Sequence, residues 1–285
     1  MFMIQGWLNR IDAMRRGDGL RAQLVRGVMG VGGLKLLSLF LTLLTTIILA
    51  RGLGADGFGQ YAFVVSLITV FSIPLGPAPM LLTTREVARL DHSEKKSSII
   101  ALLHWVNRKV WIISLIFVAL IGAYSAWVAE WQVNDRWTLI FIAVVSLPFI
   151  GLSQVRSGIL AGMKHVVLAQ LPELLVRPII LLLISLILLS FGLLNTLNVT
   201  VAFVGGTLIT FLVGIWLLRL VLPTKAASPM QDREQSRKWR RSWMPFTLLV
   251  AAGILNTQIG ILFLGWLSTD EQIAAMRAAE RSAML

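Results

Sequence analysis

Between Gly27 and Arg89 the chain carries two long apolar runs, GVMGVGGLKLLSLFLTLLTTIILA and YAFVVSLITVFSIPLGPAPMLLTT, separated only by RGLGADGFGQ. No other feature limits the fold so strongly. A hydrocarbon core about 30 Å thick takes roughly 20 helical residues to cross, and each run supplies them. Inside lipid every backbone N–H and C=O must be satisfied within the segment, so each run is expected to be a helix. The short glycine-rich connection, with Gly52, Gly54, Gly57 and Gly59 free to take positive φ, makes the two an antiparallel pair.

The rest of the chain repeats this pattern. Apolar helices are expected at about 110–129, 137–162, 171–191, 199–222 and 243–267, and an amphipathic run, IAAMRAAERSAML, begins an eighth. Pro172 suits the first turn of the fifth. Pro74, Pro77 and Pro79 fall within the second and are expected to kink it. Residues 85–98 read as a mixed-charge loop. With 56% hydrophobic and 14% charged residues among 285, the chain cannot cover its apolar surface as a soluble domain would. The fold class is therefore an all-α polytopic transmembrane bundle, with about seven crossings and the start of an eighth.

Charge sets the orientation. The net charge is +12. With the amino terminus in the cytoplasm, nearly all Lys and Arg fall in cytoplasmic segments, and only Arg51 and Arg136 fall in the outer turns. Residues 1–26 read as a basic, amphipathic cytoplasmic segment with no signal-peptide cleavage site. The chain then divides into a six-helix lobe at 27–222, a basic cytoplasmic loop at 223–242 and the start of a second lobe at 243–285. The basic residues are scattered over many loops, which argues against nucleic acid as a partner.

Cysteine is absent, so thiolate metal sites, iron–sulfur clusters and cysteine nucleophiles are excluded. No nucleotide loop, metalloprotease motif or serine-nucleophile motif is present. GVMGVGG at 27–33 has no preceding strand, so it is not a phosphate loop. The expectation is a non-enzyme without cofactor or metal. What remains is charge at membrane depth, which is costly and points to function. Lys35, Arg85 and Arg156 approach one membrane face and are the candidate substrate-binding cations, with snorkelling to the membrane boundary as the alternative reading. Glu173 and Arg177, four apart, form a candidate structural ion pair. Asn256 and Gln258 suit helix–helix hydrogen bonding.

Three stretches carry a family resemblance. In ARGLGADGFGQY, Ala50, Arg51, Leu53, Gly54, Phe58, Gly59 and Tyr61 fit a hairpin pattern A-R-x-L-G-x-x-x-[FY]-G-x-[FY]. LLTTREVARL holds R-E-x-A-R at Arg85, Glu86, Ala88 and Arg89, and SGILAGMKH is the third. LFLGWLSTDEQIAAMRAAERSAML also resembles a later hairpin, with Met276 where an aromatic is common. Together they resemble the Wzx-type O-antigen and polysaccharide flippases of the multidrug/oligosaccharidyl-lipid/polysaccharide exporter superfamily. The resemblance implies two lobes of about six helices around a cavity that opens alternately to each side. The family carries twelve to fourteen helices, so this chain is expected to hold the first lobe and the beginning of the second. It implies movement of an undecaprenyl-diphosphate-linked oligosaccharide across a bacterial inner membrane, for polysaccharide or O-antigen biosynthesis. Membrane lipids, a polysaccharide polymerase and chain-length proteins are the implied partners. A cation-coupled multidrug exporter of the same superfamily is the alternative, and an integral-membrane glycosyl- or acyltransferase is a third reading.

Overall fold

The computed structural model describes residues 20–92, 96–129, 135–222 and 233–283, and every element among them is helical. In chain order these are α1 (Leu20–Phe71), α2 (Pro77–His92), α3 (Lys96–Ala129), α4 (Asp135–Val144) and α5 (Leu147–Gly162), followed by α6 (Val166–Leu171) and α7 (Arg177–Ser190). Then come α8 (Thr196–Val221), α9 (Arg233–Leu267) and α10 (Asp270–Ala283). Among the described residues six helical stretches are long and apolar enough to span a bilayer, and the first of them, Met29–Phe71, doubles back on itself. The protein is a multi-pass membrane protein. Residues 1–19 and 223–232, part of the two basic segments predicted above, lie outside the described residues.

The reversal in α1 occurs at one residue, Gly54, with φ 71° and ψ 178°. A side chain is strained there, and glycine is not. Contacts show the change of direction. Gly30 faces Val167 near the start of α6, and Gly52 faces Leu189 near the end of α7, so the first half runs alongside α6 and α7. The second half runs back until Pro74 borders the same cleft as Trp105 and Lys109, in the first part of α3. The turn is narrower than the whole of Arg51–Gly59, because helix resumes directly after Gly54.

Pro74, Pro77 and Pro79 break the second pass at 72–76, where Ser72 O accepts from the backbone N–H groups of both Leu75 and Gly76. Pro77 then opens α2, a position where its missing N–H costs nothing. The helix runs on to His92, so Arg85, Glu86 and Arg89 sit on it and not in a loop. Arg89 Nη2 bonds Glu86 Oε2 at 2.8 Å, one turn away, and the buried Glu86 anchors the pair against the bundle. The sequence placed a loop over this stretch because charge density outweighed that spacing.

Helix α5 packs lengthwise on the proline break and α2 through three glycines. A methyl group at Gly151 would lie 2.8 Å from Leu75 O, one at Gly158 2.6 Å from Met80 O, and one at Gly162 2.8 Å from Thr84 O. The matched order 75/151, 80/158 and 84/162 makes the two helices parallel. Thr84 Oγ1 donates to Gly158 O at 3.1 Å across the contact. Lipid tails are as apolar as leucine, so such close backbone packing replaces the hydrophobic drive available in water. The buried core lies here, among Leu75, Leu82, Val87, Leu152, Ile159 and Leu160. The outer surface is apolar instead, with Leu120, Ile187, Trp216, Leu248 and Phe263 exposed, as a helix bundle in lipid allows.

The fifth pass departs most from the sequence reading. It begins at Val166, after a left-handed Lys164 (φ 66°), and not at 171. Pro172 opens a π turn, Pro172–Val176, in which the Arg177 N–H donates to Pro172 O. Pro178 supplies no N–H to the carbonyl four residues back, and the widened turn immediately before it absorbs that loss. After Gly192, also left-handed at φ 66°, Asn195 caps α8 by accepting from the Asn198 N–H at 2.7 Å.

Candidate functional site

Arg156 is the least expected side chain in the membrane region. It stands on α5 near the basic end of the bundle and is half-buried against α8. Its Nη1 donates to Leu152 O at 2.6 Å, and its guanidinium carbon lies 4.5 Å from the centre of the Phe211 ring. Phe211 in turn packs on Phe149 at 5.8 Å. Gly214 borders the arginine stem, where an added methyl group would make ordinary contact with Arg156 Cδ at 3.7 Å. The same gap borders Ser153, whose buried Oγ has no hydrogen-bond partner. No carboxylate pairs with Arg156 among the described residues. A cation–π contact and one carbonyl hold it in place, while most of its donors stay unspent.

The acidic groups behave differently. Each described acidic side chain that is not exposed is matched to an arginine: Glu86 to Arg89, Glu173 to Arg177 at 3.1 Å, Asp270 to Arg136 and Glu280 to Arg277 at 3.2 Å. Arg177 also lies over the Phe203 ring at 4.9 Å, so the pair on the π turn is tied to α8. The remaining described acids with placed side chains, Asp56 and Glu271, are exposed.

Lys35 on α1 and Arg85 on α2 are both exposed, and Arg156 on α5 is half-buried. The three predicted cations therefore stand on three helices at separate positions. Of the turn residues, Arg51 is exposed, Gly54 makes the reversal, Phe58 is buried with Leu49, Val199 and Ala274, and Gly59 faces the backbone of Asp270.

That last contact belongs to a cluster at the end opposite the basic one. Arg136, at the start of α4, donates to Asp270 Oδ1 and to Gly265 O (3.3 Å), and Gln60 Nε2 donates to Asp270 Oδ2 at 3.3 Å. Gly265 lies directly against the Phe63 ring, and the Arg136 guanidinium lies 5.9 Å from it. This clasp joins the second half of α1 and the start of α4 to the turn between α9 and α10. Arg136 and Asp270 are 134 residues apart, so only the fold reveals the pair. Hydrogen bonds to charged groups contribute roughly 1.5–3 kcal/mol. Arg136→Gln is thus expected to broaden and lengthen the distance between spin labels on Cys substitutions at Asp56 and Glu271, two exposed sites flanking the clasp in a chain with no native cysteine. An unchanged distance distribution would show that the clasp does not hold this end shut.

Residues 24–285 match the family model described as polysaccharide biosynthesis protein. The chain belongs to that family. No curated protein sequence matches it. Among solved structures it is similar to the lipid II flippase MurJ in an inward closed conformation, with a TM-score of 0.65, 14% identity, and coverage of 91% of this chain and 54% of that one. It is also similar to a multidrug resistance MATE family transporter of the MOP superfamily in an inward-facing conformation, with a TM-score of 0.63, 15% identity, and coverage of 87% of this chain and 58% of that one. The chain thus shares the fold of these two structures and spans a little over half their length.

Proposed function

We propose that this polysaccharide biosynthesis protein moves a saccharide linked to a polyprenyl diphosphate across the bacterial inner membrane, supplying polysaccharide or O-antigen assembly. One observation carries the choice of cargo: a half-buried arginine without a carboxylate, Arg156, in a bundle whose described non-exposed acids are all matched to arginines. An anionic diphosphate must shed water on entering a membrane cavity, and a held guanidinium with free donors replaces that hydration. Arg85, exposed on α2, receives the same anion together with Arg156, and Lys35, exposed on α1, follows it inward. In this reading 27–222 is the first lobe, 223–242 the link, and 243–285 the start of the second. The clasp of Arg136, Asp270 and Gln60 supports a state closed at the outer end. Membrane lipids surround the bundle, and the polymerase and chain-length proteins act on the delivered cargo.

A cation-coupled multidrug exporter has the same fold. It needs an acid free to take up and release a proton or metal cation, and the paired glutamates weigh against that. A test uses vesicles carrying the full-length protein. A fluorescent polyprenyl-diphosphate saccharide is expected to equilibrate between leaflets faster than in empty vesicles. Gradient-driven uptake of a cationic dye, with no lipid flipping, would favour the exporter instead.

A further inference from the structure

A second amphipathic site lies apart from Arg156. A cleft of about 380 Å³ opens between α3, the proline break at 72–76 and α9. Lys109 and Arg240 line it together with Trp105 and Trp243. Its other walls are Pro74, Ile113, Met244 and Thr247. Three features bear on its occupant.

The first is the placement of charge. Lys109 is the last cation of α3 before the apolar run that starts at Val110. Arg240 belongs to the basic stretch RKWRR that ends just before the apolar part of α9. Two helices thus bring their boundary cations to one opening. Neither cation is in an ion pair with a described acidic residue.

The second is aromatic. The Trp105 ring packs on Trp239 at 5.5 Å and on Trp243 at 5.7 Å, so the cleft wall is a rigid indole cluster. Tryptophan gathers where headgroups meet hydrocarbon, because its ring is apolar and its N–H is not.

The third is the gradient of polarity. Ile113 lies one turn beyond Lys109, and Thr247 lies two turns beyond Arg240, both towards the membrane centre. The cleft therefore passes from two cations through indoles to aliphatic walls. That sequence of surfaces matches a molecule with an anionic phosphate at one end and an alkyl chain at the other.

We infer that this cleft binds one anionic glycerophospholipid of the surrounding membrane, its phosphate at Lys109 and Arg240 and an acyl chain along Ile113, Met244 and Thr247. Basic recesses between membrane helices at the cytoplasmic face suit such headgroups. The site does not depend on which cargo the protein carries.

The test uses the purified full-length protein in neutral detergent, titrated with phosphatidylglycerol or phosphatidylcholine brominated on the acyl chain. Tryptophan quenching is read, since Trp105 and Trp243 border the cleft. Brominated phosphatidylglycerol is expected to quench at a concentration about tenfold or more below that of the phosphatidylcholine. Lys109→Gln with Arg240→Gln should abolish the preference, and Arg237→Gln with Arg241→Gln, which leaves the lining cations in place, should preserve it. Thr247→Phe fills the apolar floor without altering charge and should weaken quenching by both lipids. Equal quenching by the two lipids in the unaltered protein would overturn the inference, and so would loss of preference in the Arg237/Arg241 variant. Displacement by millimolar glycerol phosphate would make this a free-anion site, and displacement by a polyprenyl diphosphate at concentrations matching the phospholipid would make it a cargo site. Either result would contradict a resident phospholipid.

Discussion

Replacing Gly158 by leucine is expected to abolish the stable bundle, whereas replacing Gly205 by alanine should leave it intact or slightly firmer. The opposite signs follow from what each position faces. At Gly158 even a methyl group meets Thr83 Oγ1 and comes within 2.6 Å of the Met80 carbonyl oxygen, and backbone cannot rotate away as a side chain can. The two helices must separate, which also breaks the bond from Thr84 Oγ1 to Gly158 O. Overpacking a well-filled core costs about 1–3 kcal/mol, and a backbone collision lies at or beyond the top of that range. Gly158→Ala should therefore already lower the melting temperature, and Leu should prevent recovery of a monodisperse protein. At Gly205, within α8, nothing lies within 4 Å of an added methyl group, so the helix keeps alanine's advantage of about 1 kcal/mol. Thermal unfolding in one detergent compares the variants directly. Equal melting temperatures for Gly158→Ala and Gly205→Ala would refute the account of α2 and α5.

Much of this architecture is visible in the chain. The apolar runs announce their helices, and the glycines after Arg51 announce the reversal that Gly54 performs. The charge bias marks one end of the bundle before any contact is known. Other features need the fold. Gly151, Gly158 and Gly162 are legible as small residues on one helix face, but their partner, α2, is hidden behind a stretch dense in charge. The π turn at Pro172–Val176 had a signal in the six-residue spacing of Pro172 and Pro178, since a second proline within a membrane helix must displace a carbonyl. The clasp of Arg136 with Asp270 and the meeting of Trp105 with Trp239 and Trp243 have no local signature, because tertiary contact alone creates them. Membrane depth singled out Arg156, but depth could not say that Phe211 and the Leu152 carbonyl would hold it without a carboxylate.

Arg156→Gln should reduce transport strongly and leave the protein at least as stable as before. An arginine at the bilayer centre costs about 2.5–3.5 kcal/mol on insertion scales when nothing offsets it, and one nearer the boundary, as Arg156 is, costs part of that. Its cation–π contact and single carbonyl bond recover only part of that. Removing the charge therefore relieves the fold. It also removes a charged hydrogen bond to the cargo phosphate, a contribution of roughly 1.5–3 kcal/mol, or about 10- to 100-fold in rate if it acts at the rate-limiting step. Arg156→Lys keeps the charge but loses the planar fork, so its rate should fall between the two. An arginine that only snorkels would show the reverse, with altered abundance and a normal rate per molecule.

The decisive measurement is the flipping rate of a polyprenyl-diphosphate saccharide in vesicles, normalised to the protein inserted, for the unaltered protein, Arg156→Lys and Arg156→Gln. The account predicts a descending order in that sequence, with Gln at least about tenfold below the unaltered protein and melting temperatures unchanged or higher. Equal rates for all three at equal insertion would contradict it.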